Sequence, residues 1–407
     1  MNRKKSTVVY ITSSFPFGKS EVWAINEINS LMQLGNEVII VPRNGDLPLV
    51  NSDAKKFLES SLRFPIFNLA IAMAFVRITI LRPALFGQLI LENFKHANTL
   101  VDFVKGLVVI PKSLFLAGLL RGKGVTHIHS LQTTTTAFIA FILSCYLKVS
   151  WSYTLHTSET LSKSFKRSLL FYSRSASICR AISRGTARDL SIFLKFPLSE
   201  KVKMVHFGVD IPKLRETQFV SRNWFTVVTP AELSPRKGHI FSLLAAKCLV
   251  DSGIRNFTWF FYGSGPLLRD LLFKVRELNL DDYCFFKGSI DHETLLGKYR
   301  NNEVDVVVIS SVSTAVPEGI PVSLMEAMSF EVPVIATDCG GTRELVDGRA
   351  GILVDQGEPL SIATALRRIF SDDEYRKVQG REGRAKVVRE FNTLENAKEL
   401  GGLFSRS

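Results

Sequence analysis

Short β-branched or aromatic runs alternate with amphipathic stretches of helical length along the second half of this 407-residue chain. Strands and helices that alternate in this way build a parallel sheet with helices on both faces, a doubly wound α/β domain. The pattern predicts six strands, at Phe225–Thr229, Thr258–Tyr262, Tyr283–Phe286, Val304–Ser310, Val332–Ala336 and Gly351–Val354. It predicts six helices, at Ile240–Val250, Pro266–Leu278, Glu293–Asn301, Pro321–Ser329, Thr342–Val346 and Pro359–Phe370.

The first half shows the same alternation more weakly and predicts a second doubly wound domain. Its predicted helices are Glu21–Leu34 and Thr134–Leu147, and residues 55–120 interrupt the pattern with a basic, apolar, helix-like region. Its predicted strands are Thr7–Thr12, Glu37–Val41, Thr126–His129, Ser150–Leu155, Ser177–Ile182 and Val202–His206.

We therefore predict two Rossmann-like domains that face each other across a cleft, since ligands bind open α/β sheets at the carboxyl ends of their strands. The predicted boundaries are 1–207 for the first domain, 208–223 for a linker and 224–388 for the second domain. A C-terminal helix over 389–407 follows, and its return to the first domain is one option.

The net positive charge of the chain lies entirely in its first half. Residues 1–205 carry 26 basic and 11 acidic side chains, whereas the remainder carries 25 and 27. Such an excess indicates an anionic partner, which could be nucleic acid, a membrane surface or an anionic substrate. The chain lacks a recognition-helix, RNA-binding or zinc-finger signature, which disfavours specific binding of nucleic acid.

Cysteine usage and hydropathy exclude other classes. The five cysteines are widely spaced without any C-x-x-C, so neither a disulfide framework nor a zinc site is indicated, and a reducing cytosol is the default. The N-terminus does not resemble a signal peptide. The longest uncharged apolar stretch, 64–76, is shorter than the roughly 20 residues of a spanning helix, so no transmembrane segment is predicted.

The most informative run is PEGIPVSLMEAMSFEVPVIATDCGGTRELVDGRAGILVD, from Pro317 to Asp355. Pro321 suits the start of a helix, and the preceding Gly319 and Ile320 would present backbone N–H groups at its positive end, a seat for a diphosphate. Glu318 and Glu326 could both flank the same ligand, and carboxylates there suit a vicinal diol of a sugar or ribose. Taken alone, the two glutamates could equally be solvated surface charges.

This stretch closely resembles the E-x7-E signature of the retaining GT-B glycosyltransferases of family 4. Further motifs in family order are VHFGVDIPKL, AELSPRKGH, YGSGPLLRDL and CFFKGSI. In the first half, SSFPFGKSEVWAINEINSLMQLGNEVII, THIHSLQTTTTAFIAFIL and SYTLHTSE resemble the subgroup that builds exopolysaccharide, colanic-acid-like and lipopolysaccharide chains. The resemblance runs over nearly the full length.

The resemblance implies a nucleotide-sugar site in the second domain and an acceptor site in the first. Catalytic roles are implied for Glu318, His156 and Lys237. Donor-binding roles are implied for Gly319, Ile320, Glu326, Arg236, Gly263, Gly265, Lys287 and Gly18. Glu318 would hold hydroxyls of the sugar, Glu326 the ribose diol and Lys237 the diphosphate, while His156 would reach the sugar across the cleft.

One position departs from the family pattern. The family usually has an arginine five residues before the lysine that matches Lys237, and this chain has Glu232. Either Glu232 turns outward and Arg236 substitutes, or stabilisation of the leaving group is weakened. His127 and His129, on a predicted strand, are expected on opposite faces, with one near the cleft.

We expect a retaining hexosyltransferase that uses no metal, because the chain lacks an Asp-x-Asp motif, and no cofactor besides its nucleoside-diphosphate sugar. The expected acceptor is a surface glycan, preferably linked to a polyprenyl diphosphate. The basic region over 55–120 would then dock on the inner face of the cytoplasmic membrane as part of a peripheral cytoplasmic protein. The alternative is a non-catalytic GT-B subunit that binds nucleotide sugar in a glycan assembly complex.

Overall fold

The computed structural model describes residues 6–18, 21, 23–49, 52–65, 68–156, 165–214, 223–314 and 319–406. The chain divides into two compact units. The first unit comprises Met1–Phe207 and Thr393–Ser407, and the second unit comprises Gly208–Asn392.

The first unit is built on a six-stranded parallel sheet with the strand order β2-β1-β3-β4-β5-β6. The strands are β1 (Thr7–Thr12), β2 (Glu37–Pro42), β3 (Val125–Ser130), β4 (Ser150–Leu155), β5 (Ile178–Ala181) and β6 (Val202–Met204), which confirms the six predicted strands. The helices before the unit boundary are α1 (Ala24–Gln33), α2 (Leu69–Leu81), α3 (Pro83–His96), α4 (Leu100–Leu120), α5 (Thr135–Leu147), α6 (Lys166–Ser175) and α7 (Arg184–Leu194). Buried β-branched and aromatic side chains on both faces of the strands explain why the sheet needs helices on each side.

The second unit repeats this architecture with the strand order β12-β11-β10-β7-β8-β9, again all parallel. The strands are β7 (Phe225–Pro230), β8 (Phe257–Tyr262), β9 (Cys284–Phe286), β10 (Val306–Ile309), β11 (Val334–Thr337) and β12 (Ile352–Val354), as predicted. The helices are α8 (His239–Asp251), α9 (Leu268–Glu277), α10 (His292–Arg300), α11 (Val322–Ser329), α12 (Thr342–Leu345), α13 (Pro359–Ser371) and α14 (Asp373–Glu390). Two apolar clusters, one on each face, form its core.

The domain boundaries differ from the predicted ones. Residues 208–214, expected as linker, belong to the second unit, because Val209 is buried and its N–H donates to Phe391 O at 2.9 Å. The final helix is α15 (Thr393–Phe404), which starts four residues later than predicted and belongs to the first unit. It packs on α1, and Phe404 stacks on the ring of His127 at 4.4 Å.

The expectation for the two strand histidines is wrong. His127 and His129 are two residues apart, and alternate residues of a strand share a face. Both rings hydrogen bond Ser152 Oγ at 2.7 Å, and both lie against Phe404. Burial lowers the pKa of His127 to about 3 and that of His129 well below its usual value, so both are neutral parts of the core.

A buried ion pair holds the end of the first unit in place. Arg180 Nη1 lies 2.6 Å from Glu27 Oε2, and neither side chain is more than 5 % exposed. Tyr10 donates its hydroxyl to Glu27 Oε1 at 3.0 Å, while the guanidinium of Arg180 also donates to Val205 O and His206 O. These contacts compensate the two buried charges and fix the last residues before the unit boundary.

The region over 55–120 forms three helices, α2 to α4, which pack on one another. By length and composition alone, α4 could cross a membrane, but half of its most apolar window is buried inside the unit. Lys112 interrupts its apolar sequence and is fully buried. The ammonium of Lys112 donates to Pro42 O, Arg43 O and Phe64 O at 2.8, 2.8 and 2.6 Å, so it ties α4 to the end of β2.

Candidate functional site

The sheet of the second unit changes direction between β7 and β10, because successive strands are added on opposite sides of this pair. Open α/β sheets bind ligands at the carboxyl ends of the strands at such a point. The loops after the two strands are joined here: Val312 N–H donates to Arg236 O at 2.9 Å, and Ser310 Oγ donates to Gly238 O at 2.9 Å. A Cβ on Gly238, whose φ is +61°, would collide with Ser310 O, so only glycine allows this approach.

Gly263 and Gly265 lie in the next loop, after β8, and pack against the loop after β7. A Cβ on Gly263 would collide with Ala231 O, and one on Gly265 would collide with Leu233 O. Leu233 N–H donates to Ser264 O at 3.0 Å, which locks the two loops together. Both glycines therefore shape the rim of the sheet, whether or not their own backbone contacts a ligand.

Gly319 and Ile320 precede α11, whose N-terminus carries the positive end of the helix dipole. The glycine turn after β11 supports them, since a Cβ on Gly341 would lie 2.9 Å from Ile320 Cγ1 and 3.1 Å from Ile320 N. The turn and the loop after β10 also approach through Ser313 Oγ and Cys339 Sγ, at 3.8 Å. Glu318 lies outside the described residues.

Glu326, predicted to hold a ribose diol, lies on α11 with its side chain 14 % exposed. His292, the first residue of α10, contacts it through Nε2, 2.8 Å from Glu326 Oε1. His292 could not be selected from the sequence, because this residue is separated from Glu326 by 34 positions and belongs to no recognised motif. The contact shows how the carboxylate of Glu326 is oriented from a neighbouring helix.

The cations expected at the diphosphate lie in the loop after β7. Arg236 and Lys237 occupy a short 3-10 turn, Pro235–Lys237, at the joined loops of β7 and β10. Glu232 has its side chain 58 % exposed, with Oε2 at 4.0 Å from Arg236 Nη2. The carboxylate of Glu232 thus lies beside Arg236, the cation expected to substitute for the family arginine.

Lys287 follows β9 and turns its ammonium over aromatic rings. Its Nζ lies 5.3 Å from the ring centre of Phe285 and 5.6 Å from that of Phe260. Its N–H donates to Phe261 O at 3.0 Å, which extends the pairing of β8 and β9. The side chain of Lys287 is thus placed on one face of the sheet by cation–π contacts.

In the first unit, Gly18 lies in the loop after β1, with φ at +70°. A Cβ there would lie 2.9 Å from Leu47 Cδ1, and the N–H of Gly18 donates to Pro48 O at 2.8 Å. Packing against 47–49 therefore explains this glycine without a ligand. Glu21, whose side chain is buried, was not predicted from the sequence. Its carboxylate accepts hydrogen bonds from the backbone N–H groups of residues 13, 14 and 15 at 2.8 to 3.3 Å and holds the same loop.

His156 directly follows β4 and packs within the first unit against the rings of Trp23 and Phe207, at centroid distances of 4.7 and 5.5 Å. Its Nε2 donates to Leu131 O at 2.6 Å, so the proton of the neutral ring is on Nε2. Burial lowers its pKa to about 4, and near neutral pH the ring is uncharged.

Contacts thus join five loops of the second unit, each to the next. Loop 263–265 contacts 231–238, which contacts 310–313; loop 310–313 contacts 339–341, which contacts 319–320. Among the described residues, no three His, Cys, Asp or Glu side chains are grouped as metal ligands. Gly18 and His156 belong to the first unit.

Solved structures with the same fold define the class of the chain. HepE from Anabaena in complex with UDP superposes with a TM-score of 0.72 at 17% identity, covering 99% of this chain and 100% of HepE. A glycosyltransferase from Rickettsia africae superposes with a TM-score of 0.74 at 15% identity, covering 99% of both chains. The chain therefore has the GT-B fold with two Rossmann-like domains.

Sequence comparison gives a family match for the second unit. Residues 210–386, which are most of that unit, match the family Glycosyl transferases group 1. Relatives include the colanic acid biosynthesis glycosyltransferase WcaL of Escherichia coli K12, 32% identical over 216 residues, which are 50% of this chain and 51% of WcaL. The glycosyltransferase EpsD of Bacillus subtilis is 28% identical over 48% of this chain and 49% of EpsD.

Another relative is the UDP-Gal:alpha-D-GlcNAc-diphosphoundecaprenol alpha-1,3-galactosyltransferase of Escherichia coli, 25% identical over 50% of this chain and 54% of the enzyme. The chain spans about half the length of these three relatives.

Proposed function

We propose that the protein is a glycosyltransferase that moves a hexose-like unit from a nucleoside-diphosphate sugar to a growing surface glycan, with retention of configuration. The observation that carries this proposal is the set of contacting loops at the carboxyl edge of the second sheet, within the range that matches the family. UDP-bound HepE, which has the same fold, supports a nucleotide sugar as the donor.

The proposed mechanism uses orientation and electrostatics. The carboxylate of Glu326 accepts hydrogen bonds from the two hydroxyls of the ribose diol. The contact of Glu326 with His292 sets the orientation of that carboxylate. Lys237, Arg236 and the N–H groups of Gly319 and Ile320 stabilise the negative charge of the departing diphosphate. Glu318 holds hydroxyls of the transferred sugar, as its place in the E-x7-E motif implies. In this proposal, Gly263 and Gly265 let the donor approach the sheet, and Lys287 borders the nucleobase.

On the acceptor side, the neutral His156 and the loop around Gly18 border the sugar. The proposed acceptor is a glycan linked to a polyprenyl diphosphate, which the diphosphoundecaprenol substrate named for one relative supports. Such an acceptor is held by a bilayer, so we place the protein at the inner face of the cytoplasmic membrane, attached peripherally.

The test of the donor site is titration of the Glu326→Gln variant with UDP and GDP, together with transfer assays of Glu318→Ala. Loss of a charge-assisted hydrogen bond predicts donor affinity lower by about 10-fold to 100-fold for Glu326→Gln. Glu277→Gln removes a carboxylate from the exposed end of α9 and serves as the control, which should bind as the wild type does. Unaltered donor affinity and transfer in both site variants, with unchanged Tm, would contradict the site assignment.

Two further measurements test the finer parts of the proposal. Nuclear magnetic resonance of the first product gives its anomeric configuration, and inversion would exclude the retaining mechanism. Transfer in the presence of EDTA should proceed at the normal rate, because the proposal assigns leaving-group stabilisation to protein groups. The non-catalytic alternative predicts donor binding without donor hydrolysis or transfer to any member of an acceptor panel.

A further inference from the structure

The helix α2 is apolar around its whole circumference, yet the fold leaves it largely uncovered. Its thirteen residues include a single charge, Arg77, and only Ile71 is buried. Leu69, Met73, Val76 and Ile80 follow one another at helical spacing and are 75%, 60%, 55% and 71% exposed. We call these four residues the apolar stripe. A helix of such composition is normally buried, so something outside this chain is expected to cover it.

The uncovered surface continues onto neighbouring helices. α2 packs on α3 and α4, and the first turns of α4 expose Leu100, Val101 and Val104. Eleven of the 27 large hydrophobic side chains exposed in the described part of the chain fall within 69–108. This concentration on three helices that pack on one another exceeds the scattered apolar residues of an ordinary surface.

The geometry fits a position in the plane of a bilayer surface. α2 and α3 have 13 and 14 residues, fewer than the roughly 20 that cross the hydrocarbon core, and they meet at an angle of 108°. A pair of short helices bent in this way cannot form one straight span. Apolar helices that lie along the interface bury one side among acyl chains and keep cationic side chains at the headgroups.

The charge of the first half decides which partner covers the patch. Residues 1–205 carry 26 basic and 11 acidic side chains, and Arg77, Arg82 and Lys105 lie on or between the patch helices. Arg77 follows Met73 by one helical turn, from where its long side chain can reach phosphate headgroups. Arg63, which belongs to the same basic region, instead donates to Gly45 O at 2.6 Å and lies over the ring of Phe17.

We propose that the apolar stripe and the exposed turns of α4 insert into the headgroup region of an anionic lipid bilayer. This inference rests on the proposed function only in its choice of a lipid-borne acceptor, and it assigns the insertion to α2 and α4. The surface would deliver the first unit to lipid-linked glycans.

Flotation of the full chain with vesicles tests this inference without donor or acceptor. The stripe variant replaces all four residues of the apolar stripe by Gln, and a matched control replaces three exposed apolar residues of the second unit, Leu272, Phe273 and Leu360, by Gln. We expect the wild type and the control to float with phosphatidylglycerol-rich vesicles. The stripe variant should lose affinity by at least about tenfold, since four partly exposed side chains no longer enter the lipid.

The Val76→Trp variant reports insertion directly, because lipids brominated on their acyl chains should quench its tryptophan fluorescence more than that of the wild type. Equal flotation of the stripe variant, absent flotation of the wild type or an unquenched Trp would overturn the proposal. So would dimerisation of the wild type that the stripe variant abolishes, because a second copy would then cover the patch. Donor titration of the same samples separates these outcomes from failure of the proposed transferase function.

Discussion

Acidification should destabilise the first unit through its buried histidines. Burial lowers the pKa of His96 and His156 to about 4 and that of His127 to about 3, and it lowers the pKa of His129 well below its usual value. At pH values between these pKa values and the ordinary 6.5, the histidines are protonated in the unfolded chain and neutral in the folded unit. The stability contribution is therefore full above pH 6.5 and is lost as the pH falls towards 4.

The magnitude follows from the pKa values of His96, His127 and His156. From about pH 8 to pH 5, each of the three histidines changes the free energy of unfolding by about 2 kcal/mol, or about 6 kcal/mol together. A folded domain has about 5–15 kcal/mol in total, so the first unit should lose a large part of its stability by pH 5. Urea unfolding at several pH values, with hydrogen exchange of peptides from β3 and β4 as the readout, measures this loss.

A pair of variants isolates one histidine. His96 stacks on Phe138 at 4.2 Å, so His96→Phe should keep the packing and reduce the loss between pH 8 and pH 5 by about 2 kcal/mol. Phe138→Leu removes packing from the same cluster without removing a titrating group, and it should lower stability equally at both pH values. An acid slope of His96→Phe equal to that of the wild type would refute the reasoning.

Three further substitutions probe other contacts. Arg180→Met should cost about 3–5 kcal/mol in urea unfolding by leaving Glu27 buried without a cation, and adding Glu27→Met should recover most of it; additive losses would contradict this. Lys112→Met leaves three carbonyl groups without a donor and should cost about 3 kcal/mol, with a Tm lower by roughly 6–10 °C by calorimetry. Gly263→Ala places a methyl group against a backbone oxygen and should weaken donor binding in titrations by about tenfold or more, while Gly297→Ala, with open space around its Cβ, should not; equal affinities would remove Gly263 from the site.

The strands were predictable because β-branched and aromatic runs that alternate with helical stretches are compatible with few architectures other than a parallel α/β sheet. The helices α2 to α4 were predicted only as one helix-like region, because a helix that is apolar on every side has no amphipathic period from which its bounds can be read. Lys112 interrupts the apolar sequence of α4, and a buried ammonium that donates to three carbonyl groups cannot be distinguished in sequence from an exposed one.

In the candidate site, the motif residues were found because glycine turns and the E-x7-E spacing are local patterns. Glu21 and His292 were missed for a different reason: their roles depend on contacts that only the folded chain creates. The backbone conformation of Gly18 and its packing against Leu47 are likewise visible only in the folded chain, and they account for this glycine without a ligand. The approach of Glu232 to Arg236 also depends on the folded loop.

The return of α15 to the first unit affects how the protein can be made. Phe404, three residues from the end of the chain, lies against His127 and His129 in the core of the first unit. A ribosome must therefore complete the second unit before the first can close, and a chaperone has an incomplete first domain to protect during that interval. A first unit expressed alone needs residues 393–404 joined to it, for example by circular permutation, if it is to fold for separate study.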